Sequence, residues 1–202
     1  MDRKETNNYV KLTGVIKEGF TLNNEVYGEK FYITYIEIAR ASEMTDVLPI
    51  IVSERLIDVN AEWIGQTVTI LGQYRSFNLH IDDKSKLLLS VFVKEVDRVP
   101  GVFYENEIYL RGYICKKPTY RKTPLGREIA DVLIAVNREY GKSDYIPCIL
   151  WGRNARYIVE HEVGTMCELY GRVQSREYVK QYSEDYSETK VAYEVSVSRL
   201  EV

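Results

Sequence analysis

The sequence predicts an all-β chain: two tandem barrels of five strands, each with one short helix. Three observations predict it. First, the chain repeats itself. Asn8, Leu12, Gly14, Gly28, Arg40, Asp46 and Pro49 recur 98 positions later as Asn106, Leu110, Gly112, Gly126, Arg138, Asp144 and Pro147. Past a one-residue insertion, Gly65, Gly72 and Ser76 recur 99 positions later as Gly164, Gly171 and Ser175. Between residues 8 and 62, 13 of 55 positions are identical at the fixed offset, where chance gives roughly three or four. Second, both halves are runs of β-branched and aromatic residues, many with period-two alternation. Third, the only helix candidates fall at the same place in each repeat, between the third and fourth strands.

The elements follow in order. "YVKLTGVI" and "EIYLRGYI" open the repeats as alternating strands, and Gly14 and Gly112 inside them mark a bulge or sharp bend of a small barrel. The connection that follows is neutral to acidic in the first half, "EGFTLNNEVYGE". In the second it is a basic hairpin, "KKPTYRKTPLGR". Second strands are "KFYITYIEIAR" and "EIADVLIAVNR", and third strands "VLPIIVS" and "YIPCILW". The helix candidates span about 54–63 and 153–162. Fourth strands, "TVTILGQYRS" and "MCELYGRVQS", carry Gly72 and Gly171 at the same kind of bend. "LLLSVFVKEV" and "VAYEVSVSRLEV" close each half. Pro100 and Gly101 mark a linker near 97–104, giving domains 1–99 and 100–202 held close together. Five strands with a helix between the third and fourth is the order of an OB-fold, a small Greek-key barrel.

Composition narrows the class. No segment is apolar over the ~20 residues a membrane helix needs, and residues 1–8 form no apolar signal core. A soluble, cytoplasmic protein is expected. Cys115, Cys148 and Cys167 are odd in number and unpaired in spacing, which predicts buried free thiols and no zinc. The net charge is −3, unevenly spread. Within 116–156 nine basic residues (Lys116, Lys117, Arg121, Lys122, Arg127, Arg138, Lys142, Arg153, Arg156) face four acids. A polyanion senses such a local field.

The second half also holds 12 of the 17 tyrosines. Tyr140 and Tyr145 flank the loop between its second and third strands. Trp151 ends the third strand, and Tyr178 lies beyond the fourth. Arg138, Lys142, Arg153, Arg172, Arg176 and Lys180 are interleaved with them. Unpaired bases stack on flat π-surfaces at about 1–3 kcal/mol each while Lys and Arg neutralise the backbone. For any single tyrosine, strand packing explains as much.

"NEIYLRGYICKKP", "TPLGREIADVLIAVNREY", "DYIPCILWGRNAR" and "GRVQSREY" resemble the bacterial single-stranded DNA-binding protein family, across residues 105–201. The resemblance implies single-stranded DNA binding in replication, recombination or repair, in bacterial or phage cytoplasm. Tyr140, Tyr145, Trp151 and Tyr178 take the base-stacking positions. Lys116, Lys117, Arg121, Lys122, Arg127, Arg138, Arg153, Arg172, Arg176 and Lys180 are the candidate phosphate contacts. The segment "YVKQYSEDYSETK" reads as a mobile finger. Glu184, Asp185 and Glu188 hold it off the backbone until bases stack on Tyr182 or Tyr186. Because the family works with four OB-folds, two per chain implies a homodimer. The resemblance implies a flexible tail with an acidic tip beyond Leu200, Glu201 and Val202; the chain is expected to lack it, which puts the family's usual recruited partners in doubt.

The first half departs from that pattern. Ser42, Val47, Ser53 and Leu79 stand at the four aromatic positions and cannot stack. Arg40, Arg55, Arg75 and Phe77 remain as contacts, although Arg40 and Arg55 have repeat partners and a shared structural role explains them equally. The first barrel is expected to serve assembly.

No enzyme signature is present: no G-x-S-x-G turn, phosphate loop, H-E-x-x-H or Rossmann glycine pattern. His161 suits the C-terminus of a helix, and His80, Asp82 and Asp83 read as loop residues. No cofactor is expected. Two alternatives use the same residues, an OB-fold protein-interaction module and an RNA-binding module.

Overall fold

In the computed structural model, residues 6–81, 84–183 and 186–202 are described, with the backbone alone at 78–81 and 84–86. Asp82, Asp83, Glu184 and Asp185 lie outside the described residues, as do the side chains of Leu79 and His80. The first half holds β1 (Asn8–Ile16), β2 (Thr21–Val26), β3 (Glu29–Ala39), β4 (Thr45–Ser53), β5 (Thr67–Ile81) and β6 (Lys84–Arg98). The second holds β7 (Glu105–Ile114), β8 (Thr119–Lys122), β9 (Glu128–Asn137), β10 (Ser143–Trp151), α1 (Gly152–Ile158), β11 (Met166–Gln181) and β12 (Ser187–Glu201).

The strands hydrogen-bond in the order β2-β3-β4-β6-β5-β1-β7-β11-β12-β10-β9-β8, and β3–β1 and β7–β9 pairings close each half. Each barrel thus has the five strands expected of an OB-fold. β2 and β8 are short extra arms on the hairpins before the second barrel strands. Alternate residues point inward and are buried: Val10, Leu12, Ile36, Ile38, Leu48, Ile50, Val68, Ile70, Val91 and Val93 in the first core. Ile108, Leu110, Val132, Ile134, Ile146, Cys148, Leu150, Leu169, Val173 and Val195 fill the second. Each such side chain contributes about 1.5–3 kcal/mol. The bends fall where glycine predicts them. A Cβ on Gly112 would strike the Ala135 carbonyl oxygen where β7 turns to meet β9. One on Gly171 would strike that of Ser196, where β11 carries a bulge.

One expected element differs. Residues 54–66 form turns, and α1 is the single α-helix among the described residues. The cause is local. Asp58 Oδ1 accepts the Asn60 N–H at 3.0 Å, and the Asp58 carbonyl accepts Trp63 Nε1–H at 2.8 Å. These bonds divert the backbone from helix. Ile57, at the repeat position of Ala155, is still buried. α1 buries Ala155 and Ile158 and is shorter than expected, with His161 Nδ1 2.9 Å from the Tyr157 carbonyl oxygen beyond its end.

β1 and β7 pair antiparallel, with Asn8 opposite Leu110, Val10 opposite Ile108 and Leu12 opposite Asn106. This register maps onto itself under the repeat, so the barrels are related by a pseudo-two-fold axis at Val10 and Ile108. Asn8 and Asn106 play matching parts: each side chain exchanges two hydrogen bonds with the fourth strand of its own barrel, at Tyr74 and Val173 respectively.

A second pair of contacts obeys the same symmetry. Asp144, 1% exposed, takes Arg138 as a two-pronged partner and accepts the Ser76 N–H of the first barrel at 2.6 Å. Arg138 Nη2 donates to the Ser76 carbonyl at 3.0 Å, and the Tyr145 N–H donates to Ser76 Oγ at 2.7 Å. In mirror image, Asp46 is bound by Arg40 and accepts the Ser175 N–H at 2.8 Å, while the Val47 N–H donates to Ser175 Oγ at 3.1 Å. The two Arg–Asp pairs thus clamp the barrels together.

The three cysteines are free; Cys148 and Cys167 are buried, and burial pushes the Cys167 thiol up to about 11. Among the described residues no helix is long and apolar enough to cross a membrane.

Candidate nucleic-acid interface

The four aromatics reach the surface by different means. Tyr140 sits in a 3-10 turn, Glu139–Gly141, between β9 and β10, with a left-handed backbone at φ 65° and ψ 30°. Its side chain is 98% exposed. Tyr145 is placed by the clamp: its N–H is tied to Ser76, and strand alternation turns the ring outward. Trp151 ends β10, and its indole Nε1–H donates to Ser196 Oγ on β12 at 3.2 Å, fixing the ring on the outer face. Tyr178 lies on β11 opposite Lys190.

Tyr178 belongs to a longer array. β11 and β12 run beyond the barrel as a paired ribbon, as far as Gln181 opposite Ser187, where a mobile finger was expected. Backbone pairing continues the two strands because Val, Tyr and Thr fit a pleated surface. Arg176, Tyr178, Lys180 and Tyr182 follow at two-residue steps and share one face. The Arg176 guanidinium lies 6.0 Å from the Tyr178 ring centroid, and Lys180 and Lys190 lie 5.1 and 5.3 Å from that of Tyr182. Tyr186 stacks on Tyr182 at 5.5 Å. Glu188 accepts from the Tyr182 hydroxyl at 3.2 Å and pairs with Lys190 at 3.2 Å.

Apart from Lys180 on the ribbon, the basic residues divide into three groups. Arg121 and Arg176 share the outward face of the second barrel with Trp151. Arg121 is bound to Asp131 at 2.5 and 3.1 Å; that hydrogen bond holds its guanidinium above its ordinary pKa, aided by the charges of Asp131 and Glu194. Glu194, which sequence reasoning did not single out, lies buried among them. It accepts from Gln174 Nε2 at 2.7 Å and pairs with Arg176 at 3.5 Å. Lys116, Lys117, Lys122, Arg127 and Arg153 are exposed, and none forms an ion pair among the described residues. Arg138 and Arg172 are engaged with the first barrel. Arg138 is in the clamp, and Arg172 reaches Asp46 at 3.4 Å and Gln174 at 3.0 Å. Burial lowers the pKa of Arg172, as does the nearby Arg40. Sequence reasoning left Lys190 out of the array because its place opposite Tyr178 depends on ribbon register. The strict alternation through "REYVKQY" was the available signal for Tyr182.

Among the described residues no group of His, Cys, Asp or Glu is arranged to hold a metal ion. The arrangement offers exposed π-faces and cations.

Comparison with known proteins follows the same lines. Residues 105–201 match the single-strand binding protein family. Single-stranded DNA-binding protein A of Bacillus subtilis is 33% identical over 103 residues, covering 48% of this chain and 59% of that protein. The single-stranded DNA-binding protein of Bacillus cereus is 32% identical over 103 residues, covering 48% and 60%. The chain thus spans about three fifths of the length of these curated relatives. Over its whole length the fold is similar to the wild-type single-stranded DNA binding protein of Thermus aquaticus. The TM-score is 0.77 at 18% identity, covering 96% of this chain and 91% of that one.

Proposed function

Because residues 105–201 match the single-strand binding protein family, we propose that the second barrel binds single-stranded DNA with little sequence preference. The observation that supports it best is the alternation of exposed rings and cations along one face, from Trp151 and Arg176 through Tyr178 and Lys180 to Tyr182. Bases stack on the rings, and the cations neutralise phosphates. Tyr140 and Tyr145 extend the stacking surface at the other end of β10. Lys116, Lys117, Lys122, Arg127 and Arg153 supply the outlying positive field. The activity is binding, with no chemical step, and suits DNA exposed in the cytoplasm during replication, recombination or repair. The first barrel serves assembly: its clamp residues fix Tyr145. Two copies associate as a homodimer of four barrels, which sedimentation of the intact chain tests.

The reading is tested by titrating the protein with oligo-dT of increasing length at two salt concentrations and following tryptophan fluorescence. Trp151 reports the site. Trp63 is packed against Phe20 at 6.0 Å and under Arg98 at 4.0 Å, and should be silent. The expected result is quenching that Trp151→Phe abolishes. With about five phosphates neutralised, log affinity falls with log salt at a slope of roughly −3 to −4. No quenching and no retarded complex at low salt would overturn the reading in favour of a protein partner. Preference for poly-U over poly-dT would move it to RNA.

A further inference from the structure

The first barrel carries an aromatic pair where its repeat partner has none. Phe31 on β3 and Phe92 on β6 lie with ring centroids 5.6 Å apart and planes at 37°. Phe31 stands at the repeat position of Ile129, directly across from Ser53, the repeat partner of Trp151. Phe92 pairs with Gln73 as Ser196 pairs with Arg172, so it occupies the place of the serine that holds Trp151. The π-surface lost from the third barrel strand reappears on its two neighbours.

Two cations lie over the Phe92 ring of this pair. The Arg75 guanidinium lies 4.1 Å from the Phe92 centroid and the Lys94 ammonium 5.0 Å. Among the described residues neither forms an ion pair, whereas in the second barrel the arginine stands two residues earlier, at Arg172, and reaches Asp46. Arg75 Nη2 donates to Gln73 Oε1 at 2.8 Å, while its Nε is buried with no hydrogen-bond partner. Burial lowers the pKa of both cations. The field of Glu139, the residue before Tyr140, partly offsets this at Lys94, and that of Asp144 does so at Arg75. Ser76, the neighbour of Arg75 on β5, bonds Arg138 and Asp144 on either side of the Tyr140 turn, and Arg138 lies 5.4 Å from the Phe77 ring centroid, so the patch borders that turn.

We propose that Phe31 and Phe92 with Arg75 and Lys94 form a second single-strand contact, receiving the strand as it passes Tyr140. Bases stack on the two phenylalanines, and phosphate oxygens meet Arg75 and Lys94. The proposal rests on the single-stranded DNA reading of the second barrel and adds to the first barrel's assembly role. Charge complementarity and continuity with the Tyr140 turn favour nucleic acid over a second copy of the chain.

The test uses the full chain and labelled oligo-dT of two lengths: about 8 nucleotides, within reach of one barrel, and about 30, able to cross both. The variants are the double substitution Phe31→Leu with Phe92→Leu, which keeps apolar volume, and Lys94→Gln alone, which leaves the core untouched. The expected result is at least a tenfold loss of affinity for the long oligonucleotide and less than a twofold change for the short one. Lys94→Gln should lower the salt slope by about one on the long oligonucleotide only. Unchanged long-oligonucleotide affinity and slope would overturn the proposal, and a change of oligomeric state alone would assign the patch to a subunit interface. Failure of the unsubstituted protein to bind either length would instead sink the reading of the second barrel, and this proposal with it.

Discussion

Tyr140 shows how a single residue is committed to the surface. A left-handed backbone costs a non-glycine residue roughly 1–2 kcal/mol, and here the ring gains no burial in return. Tyr140→Gly should leave thermal stability unchanged or up to about 1 kcal/mol higher, since glycine's own chain entropy offsets part of the relief. The same change should weaken oligo-dT binding several-fold. Loss of stability in a thermal melt would show that the ring packs against something. Trp151→Ala and Tyr178→Ala should each cost about 1–3 kcal/mol of binding in the fluorescence or retardation assay. A change below about 0.5 kcal/mol at both would place the stacking surface elsewhere. Residue types and edge positions were legible in the sequence for these aromatics, because they fall at the ends of recognisable strands. Arg138 was not. Its six-residue spacing from Asp144 recurs as Arg40 and Asp46, but the acceptor that employs it, Ser76, belongs to the other half.

At the scale of elements, the barrel strands could be read from alternation and the bulges from glycine. The reading stopped at residues where pattern and backbone chemistry part. Residues 54–63 read as a helix from their place between the third and fourth strands, yet the Asp58 side chain offers the backbone a turn. The β11–β12 ribbon looks like a loop by its polar composition, yet cross-strand pairing carries it outward. The clamp between elements gives a stability prediction. Asp144→Ala removes the buried partner of Arg138 and the acceptor of the Ser76 N–H, and should cost about 3 kcal/mol in urea unfolding. A loss under about 1 kcal/mol would mean the barrels hold together without it. Because the Tyr145 N–H is held by the same serine, the variant should also weaken DNA binding.

Across the whole molecule, the β1–β7 seam carries a charged link, Lys11 to Glu105 at 2.9 Å, with Thr13 donating to the same carboxylate at 2.9 Å. The Lys11 hydrogen bond holds the Glu105 carboxyl below its ordinary 4.5. The group's folded pKa is depressed, so its contribution is present above about 4.5 and is lost as pH falls through the folded value. The pair is about one-third exposed, so screening limits it to a few tenths of a kcal/mol. Glu105→Gln should lower the melting temperature slightly at neutral pH, and the gap should close in acid. A gap that widens in acid would contradict the assignment.

The symmetric register at Val10 and Ile108 has a consequence for how such a chain evolves. A seam that maps onto itself is one that two separate copies of a single barrel could form, held only by mass action. Here residues 99–104 tie the copies together, so each meets its partner at an effective concentration on the order of millimolar, at any dilution. Two identical halves can then diverge without producing mismatched pairs. The clamp was kept in both halves, while the π-surface stayed on β10 in one and moved to β3 and β6 in the other.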